Sequence, residues 1–251
     1  MESILAGISG WAIFGMAAAI MMAAALRSFT GFGFALAALP VLSLFLAPTT
    51  AASMIVMLTL MISLQTLNSY RRDIPYRSMG PMIVLSAIGT LMGTYLLLLF
   101  SPDTFRLLIG VTVMAACLLL AKFKPAPHRE GGITGAAAGL ASGLMNGALA
   151  IPGPPAIIYS IAVYGDPRIA RAFLMGFFLL SAIFATITYS LEGIITSREL
   201  ILTAIAFPAM LVGDKTGAWL FEKHGTAAYR KVAIAALFAI GLSVAAAALL
   251  P

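Results

Sequence analysis

The chain has 251 residues, of which 61% are hydrophobic and 10% are charged, and this composition excludes a soluble domain, in which about 25% of the residues are charged. Apolar runs repeatedly reach the ~20 residues that a helix needs to cross a bilayer, so we predict an integral membrane protein. The net charge of +6 is spread over short loops between these runs and forms no basic face, which argues against a nucleic-acid partner.

Ten apolar segments follow one another along the chain, five on each side of a polar stretch at residues 122–130. The first segment has no cationic leader before it, so we interpret it as retained structure and not as a signal peptide. The polar stretch is predicted to be a cytosolic linker between an N-terminal membrane repeat, residues 1–121, and a C-terminal membrane repeat, residues 131–251. The segments lie at residues 5–26, 30–47, 50–69, 78–100, 104–121, 131–148, 154–164, 169–191, 199–222 and 226–250.

The two halves look like diverged copies of one unit. Several similar positions lie 124 residues apart (213 − 89 and 230 − 106): Gly89 and Gly213, Gly93 and Gly217, Arg106 and Arg230. An odd number of segments in each half would insert the second copy upside down, an arrangement typical of transporters that expose one site alternately to two sides. The predicted fold is an all-α polytopic membrane protein with two inverted five-segment repeats, in which helical hairpins are broken by Gly and Pro near the midplane.

The charges of the loops predict the orientation in the membrane. If residues 122–130 are cytosolic, eleven cations lie on the cytosolic side and only Arg106 and Arg198 lie on the other, which follows the positive-inside rule. Both termini are then external, and we expect a multi-pass protein of the inner membrane. The cytosolic cations are Arg71, Arg72, Arg77, Lys122, Lys124, Arg129, Arg168, Arg171, Lys223, Arg230 and Lys231.

Two breaks rich in glycine and proline interrupt the apolar sequence, RSFTGFGFALAALP at residues 27–40 and ASGLMNGALAIPGPP at residues 141–155. A chain in the membrane leaves helical geometry only where protein or a polar cavity satisfies the freed backbone groups, so two breaks in corresponding places suggest one central site. Residues 154–164 are too short to cross, at about 16 Å of helix. We therefore expect residues 131–164, and by symmetry residues 5–47, to form hairpins that meet near the midplane.

The first break contains the strongest candidate for binding a ligand. A charge near the bilayer centre is tolerated mainly where it faces a cavity or a partner, and the guanidinium of Arg27 suits sulfonate, sulfite or carboxylate oxygens. Ser28 and Thr30 add hydroxyl groups, while Gly31 and Gly33 allow a close approach to backbone N–H groups. The alternative is an ordinary cytosolic arginine that extends toward water from the end of a spanning helix.

The second break cannot keep a normal ladder of helical hydrogen bonds, because Pro152 and Pro154, on either side of Gly153, lack an N–H group. A helix that begins here would direct its positive end at whatever fills the gap. Each of the flanking uncharged donors could contact a ligand or bond a neighbouring helix, and these donors are Ser142, Asn146 and Tyr159.

Asp214 lies in a stretch predicted to be deep in the membrane, where a carboxylate is a candidate for proton coupling. The alternatives are that Asp214 pairs with a neighbour and that Lys215 extends toward the cytosolic end of its helix. The glycine pairs around these residues are interpreted as close-packing surfaces between helices. Cys117 and the two histidines have no spacing typical of a metal centre or a nucleophilic enzyme, so we predict no metal, no cofactor and no catalytic residues.

The segments TGFGFALAALP at residues 30–40 and ASGLMNGALAIPGPPAIIY at residues 141–159, with Gly213-x-x-x-Gly217, resemble the signatures of the TauE/SafE sulfite exporter family. The resemblance runs over nearly the whole chain. It implies an inner-membrane exporter of sulfite, of an organosulfonate such as sulfoacetate, or of a related organic anion. Together with the two breaks and Arg27, the resemblance predicts a secondary transporter that works by alternating access. Its expected partners are membrane lipid and a small anion, and the sequence leaves open whether it forms a homo-oligomer.

Other functions compete with this one. Within transport, the protein could carry a carboxylate or another small metabolite. From other classes, it could be a non-transporting membrane assembly or sensory subunit, or an intramembrane enzyme. An enzyme needs a nucleophile, an acid and a base around one cavity, and a scaffold has no need of two paired breaks.

Overall fold

The computed structural model describes residues 10–30, 32–122 and 130–224, and within these ranges it consists of helices joined by short connections. The helices are α1 Gly10–Thr30, α2 Phe34–Phe45, α3 Pro48–Tyr70, α4 Tyr76–Leu99, α5 Pro102–Lys122, α6 Gly132–Leu149, α7 Gly153–Val163, α8 Pro167–Leu191 and α9 Ser197–His224. Five of them, α3, α4, α5, α8 and α9, contain apolar stretches long enough to cross a membrane. The protein is therefore an all-α polytopic membrane protein, as predicted.

The predicted segments correspond to these helices in order, with one shift in the first hairpin. The first segment is predicted to end at residue 26, but α1 continues to Thr30 and α2 begins only at Phe34. Arg27 and Ser28 are thus part of a helix and not of a turn. The last predicted segment, residues 226–250, and most of the linker lie outside the described residues.

Local sequence explains where several helices start. Proline stands in the first turn of α3, α7 and α8, where a missing N–H costs no intrahelical hydrogen bond. Asp166 caps α8, because its carboxylate accepts a hydrogen bond of 2.8 Å from the backbone N–H of Arg168. Gly33 precedes α2 with a left-handed φ of 95°, a conformation that favours glycine.

Helices from the two halves of the chain pack against one another. The most extensive interfaces join α4 to α6 and α1 to α9, and further contacts join α3 to α8, α4 to α8, and α3 to α9. If α1–α4 are matched with α6–α9, each of these contacts has its counterpart in the other half. Such a pattern is expected of a duplicated chain, although the duplication and the opposite orientation of its halves stay predictions.

Glycines allow the closest of these approaches, in agreement with the predicted close-packing surfaces. A Cβ added at Gly89 of α4 would overlap the backbone carbonyl of Leu140 in α6. On the other side of the bundle, a Cβ at Gly213 of α9 would overlap the backbone of Met21 in α1. Side chains larger than hydrogen would therefore push the backbones of these helices apart. The same holds for Gly93, Gly139, Gly143, Gly147 and Gly217.

Polar contacts between the connections of the helices occur at two different ends of the bundle. At one end, Arg168 forms an ion pair of 2.9 Å with Asp73, and Tyr164 donates a hydrogen bond of 2.8 Å to Glu130. Asp73, Glu130 and Arg168 belong to stretches assigned to the cytosol, and Tyr164 is the last residue of the predicted segment 154–164. At the other end, Arg106 donates a hydrogen bond of 2.9 Å to the backbone carbonyl of Ser43, near the connection between α2 and α3. The grouping agrees with the predicted sides, and the orientation relative to the cell stays a prediction.

Candidate functional site

The first break follows α1 and brings the start of a short helix into the interior. Gly33 adopts the left-handed conformation, and the backbone N–H of Ala37 donates a hydrogen bond of 3.0 Å to its carbonyl. The first turn of α2 is therefore already formed at Phe34, which is 2% exposed. The positive end of this helix dipole lies inside the protein.

The second break is built from a left-handed alanine followed by proline and glycine. Ala150 has a φ of 53°, and its N–H donates to the carbonyl of Asn146 over 2.8 Å, which ends α6. Ile151 and Pro152 are buried, and α7 begins at Gly153 with proline in its first turn. The break thus turns the chain within the protein and sets a second helix N-terminus in the interior.

Residues from both breaks line one cavity. The cavity is open at one mouth, and its space not occupied by atoms is about 350 Å³, a volume that includes open solvent at this mouth. Among the described residues, two polar side chains line it, those of Arg27 and Thr59, and most of the remaining described lining is apolar. The other lining residues are Phe32, Gly33, Phe34, Ala35, Leu36, Ile151, Pro152, Gly153 and Phe178. The first turns of α2 and α7 are therefore both part of the wall.

Arg27 is buried beside this cavity and held by α3. Its side chain is 2% exposed, and Nη2 donates a hydrogen bond of 2.8 Å to the hydroxyl of Ser63. Ser63 is fixed in turn, since the hydroxyl of Tyr70 donates to its backbone carbonyl over 2.9 Å. A guanidinium carries five N–H donors, of which Ser63 takes one. The burial rules out the interpretation of Arg27 as a helix-end arginine that extends into water.

Further charged groups surround Arg27. Asp214 of α9 interacts electrostatically with both Arg27 and Arg171, and its carboxylate accepts a hydrogen bond from the side chain of Ser28. Arg171, near the start of α8, donates from Nη2 to the backbone carbonyl of Ser28 over 3.1 Å. We call Arg27, Ser28, Arg171 and Asp214 the charged cluster. It joins the end of α1 to α8 and α9, next to the cavity.

The uncharged donors predicted beside the second break, Ser142, Asn146 and Tyr159, lie away from the cavity. Asn146 is buried and donates from Nδ2 to the carbonyl of Ser181 over 2.9 Å, and Ser142 is buried one turn before it on α6. The hydroxyl of Tyr159 accepts a hydrogen bond of 2.9 Å from the N–H of Gly131. The bonds of Asn146 and Tyr159 are the helix-to-helix alternative considered for these two residues, whereas the hydroxyl of Ser142 has no hydrogen-bond partner among the described residues. None of the three side chains lines the cavity.

The predicted residues of the two breaks lie in three places. Arg27, Gly33, Pro152 and Gly153 come together at the cavity, and Pro154 is buried just behind them in the first turn of α7. Ser28 belongs to the charged cluster instead. Gly31 and the side chain of Thr30 lie outside the described residues.

Several residues of the site lie far from the two glycine and proline breaks, so the breaks did not mark them in the sequence. Thr59 and Phe178 lie in the middle of the continuous helices α3 and α8. Ser63 and Arg171 form bonds to α1, and Tyr70 holds Ser63 from within α3. One signal in the sequence marks Tyr70, because Tyr189 follows it after 119 residues (189 − 70), a spacing close to that of the other paired positions. Each of the two tyrosine hydroxyls bonds a buried backbone carbonyl.

These features define a multi-pass helical membrane protein with broken helices around a small interior cavity, a construction found in secondary transporters. The comparisons with known proteins give the family. The chain belongs to the Sulfite exporter TauE/SafE family, which it matches over residues 16–244. It is therefore a transporter of the inner membrane and not an enzyme.

A curated relative agrees with this family. The chain is 27% identical over 224 residues to the probable sulfite/organosulfonate exporter TauE of Cupriavidus necator. The alignment covers 86% of this chain and 87% of the relative. No solved structure gives a significant match.

Proposed function

We propose that the protein is a secondary transporter that exports a small sulfur-containing anion, sulfite or an organosulfonate, and that Arg27 binds this anion in the cavity. One observation carries the proposal: the buried guanidinium and both helix breaks line the same space. The family and the name of the relative from Cupriavidus necator support the substrate class.

The cavity contains three features that favour an anion. Arg27 supplies a charged fork that matches two oxygens of a sulfonate or sulfite. The N-termini of α2 and α7, at Phe34 and Gly153, add the positive ends of two helix dipoles. The charge of Arg27 and the two helix dipoles act on the same small volume, and water screens them only weakly in a site of low polarity.

The packing of the two halves supports alternating access. Each broken hairpin packs against a long helix of the other half, α1 against α9 and α6 against α4. Rocking of one half against the other would open the cavity first to one side and then to the other. Export of one negative charge along an inside-negative potential gains about 2.3 kcal/mol per 100 mV, so the membrane potential alone can drive it.

Proton coupling is the second mode of driving that we propose, with Asp214 as the coupling residue. Its carboxylate interacts electrostatically with Arg27, so binding of the anion and protonation of Asp214 would influence each other. In vesicles, Asp214→Asn is then expected to abolish the dependence of transport on a proton gradient. A variant with the wild-type rate and unchanged pH dependence would leave Asp214 with a packing role only.

The charges of the loops predict the orientation of the protein in the membrane, with residues 122–130 in the cytosol. A single cysteine introduced at Pro125, in a background where Cys117 is replaced by alanine, is expected to resist an impermeant thiol reagent added to intact cells. It should react once the cells are opened. Labelling of this cysteine from outside in sealed cells would overturn the cytosolic assignment of residues 122–130 and with it the proposed inversion of the halves.

Binding to the purified protein tests the substrate class. We expect sulfite or an organosulfonate to raise the melting temperature of the full chain in detergent and to produce saturable heat in calorimetry. The panel contains sulfite, sulfate, taurine, sulfoacetate, isethionate and simple carboxylates. Binding only of carboxylates would replace the sulfur-anion assignment by the carboxylate carrier, and binding of none by protein that is folded would refute the proposed site.

A further inference from the structure

We propose that the cavity selects by charge, and that it accepts a monovalent anion with a small apolar group in preference to a divalent anion. This inference rests on the proposed function, because it assumes that Arg27 binds the transported anion. It narrows the substrate to simple alkanesulfonates and similar monovalent organic anions. Doubly charged ions such as sulfate and sulfoacetate are disfavoured.

The first argument is the charge of the charged cluster, of which Arg27 lines the cavity and Arg171 and Asp214 lie outside its described lining. Arg27 and Arg171 are cationic, and Asp214 interacts with both. Asp214 is counted here as a carboxylate, the form that the hydrogen bond from Ser28 and the two guanidinium groups stabilise against the cost of its burial. The charged cluster then carries a net charge of about +1. One monovalent anion neutralises these side chains, whereas the second charge of a divalent anion has only the partial positive ends of α2 and α7 as partners in a place away from water.

The second argument is the chemistry of the wall. Phe32, Phe34, Leu36, Ile151 and Phe178 present hydrocarbon to the space that Arg27 faces. A fully hydrophilic ion would lose its water against this surface without replacement, which costs free energy. A ligand with one charged end and one apolar end loses much less, because its apolar end gains from burial.

The two arguments together fix how the ligand lies. The sulfonate group meets Arg27 and the N-termini of α2 and α7, and the alkyl group lies against the phenylalanine rings. Thr59 is the other polar side chain of the described lining, so it offers one additional hydrogen bond. The cavity thus has one charged end and one apolar end, as an alkanesulfonate does.

The test is a comparison of dissociation constants for the full chain in detergent, measured by calorimetry at fixed pH and ionic strength. The ligands are methanesulfonate and ethanesulfonate on one side, and sulfate and sulfoacetate on the other. We expect the monovalent ligands to bind at least about tenfold more tightly than the divalent ones. Sulfate or sulfoacetate binding as tightly as methanesulfonate would overturn this inference and leave the proposed transport function standing. Binding of none of the four and of no sulfite would refute the proposed function itself.

A charge variant sharpens the test. Asp214→Asn raises the charge of the cluster by one, so it is expected to shift the ratio of divalent to monovalent affinity by about tenfold toward the divalent ligands. Glu192→Gln removes an exposed carboxylate at the end of α8 and should leave the ratio at its wild-type value. An unchanged ratio in folded Asp214→Asn protein contradicts the charge count. If that variant does not fold, the wild-type ligand series decides the question alone.

Discussion

Replacing Gly143 by alanine is expected to destabilise the folded protein by about 3 kcal/mol, the upper part of the range for overpacked interiors. Gly143 lies on α6 where it crosses α4, and an added Cβ would overlap the carbonyl oxygen of Ser86 and lie within van der Waals distance of its Cα. Both obstacles are backbone atoms, which cannot rotate away as a side chain does. The two helices must separate along their length, and the contacts on both sides of the crossing weaken.

A matched control separates this steric effect from the general effect of adding a methyl group. Gly80 is on α4 as well, but nothing lies within 4 Å of an added Cβ there. Gly80→Ala is expected to change the stability by less than about 1 kcal/mol, because the helix preference of alanine over glycine is offset by the restriction that Pro81 places on a preceding residue with a Cβ. The apparent melting temperatures of both variants in one detergent decide the matter. Equal melting temperatures would show that the approach of α4 and α6 is less close than described.

Much of this fold follows from the sequence for simple physical reasons. A bilayer requires continuous apolar helices, so the long segments at residues 50–69, 78–100 and 199–222 correspond directly to α3, α4 and α9. Glycine pairs at the spacing of one helical turn indicate where backbones approach, and the structure shows this for Gly213 and its partner at Gly217. These signals are local, which is why they could be recognised without an alignment.

The site was only partly predictable. Glycine and proline marked the two breaks, but the end of α1 was misplaced, because Arg27 in an apolar sequence suggests a helix end when its partner is unknown. That partner, Ser63, lies 36 residues away on a helix without unusual composition. Arg171 was counted among the cytosolic cations and not as part of the site, whereas it bonds the carbonyl of Ser28. Such contacts depend on which helices become neighbours, and one sequence does not state this.

Arg27→Lys is expected to weaken binding of the transported anion by about 1 to 3 kcal/mol, although the positive charge is kept. An ammonium cannot match two oxygens with a planar fork, and it cannot keep the same hydrogen bond to Ser63 while it reaches the anion. Arg27→Gln should lose more, since it removes the charge and leaves the anion with the two helix N-termini and neutral donors.

The comparison of these variants separates a binding residue from one that only supports the fold. Arg72→Lys, in an exposed turn after α3, serves as the control for an arginine-to-lysine change. Anion affinity and transport into vesicles are measured for all variants at matched expression, with the melting temperature without ligand as the measure of folding. A ligand role requires affinity to fall in the order Arg, Lys, Gln while the ligand-free protein remains folded. Equal affinities in all three would remove Arg27 from the site, and the anion would then depend on the two helix N-termini at Phe34 and Gly153, where no side chain carries a charge.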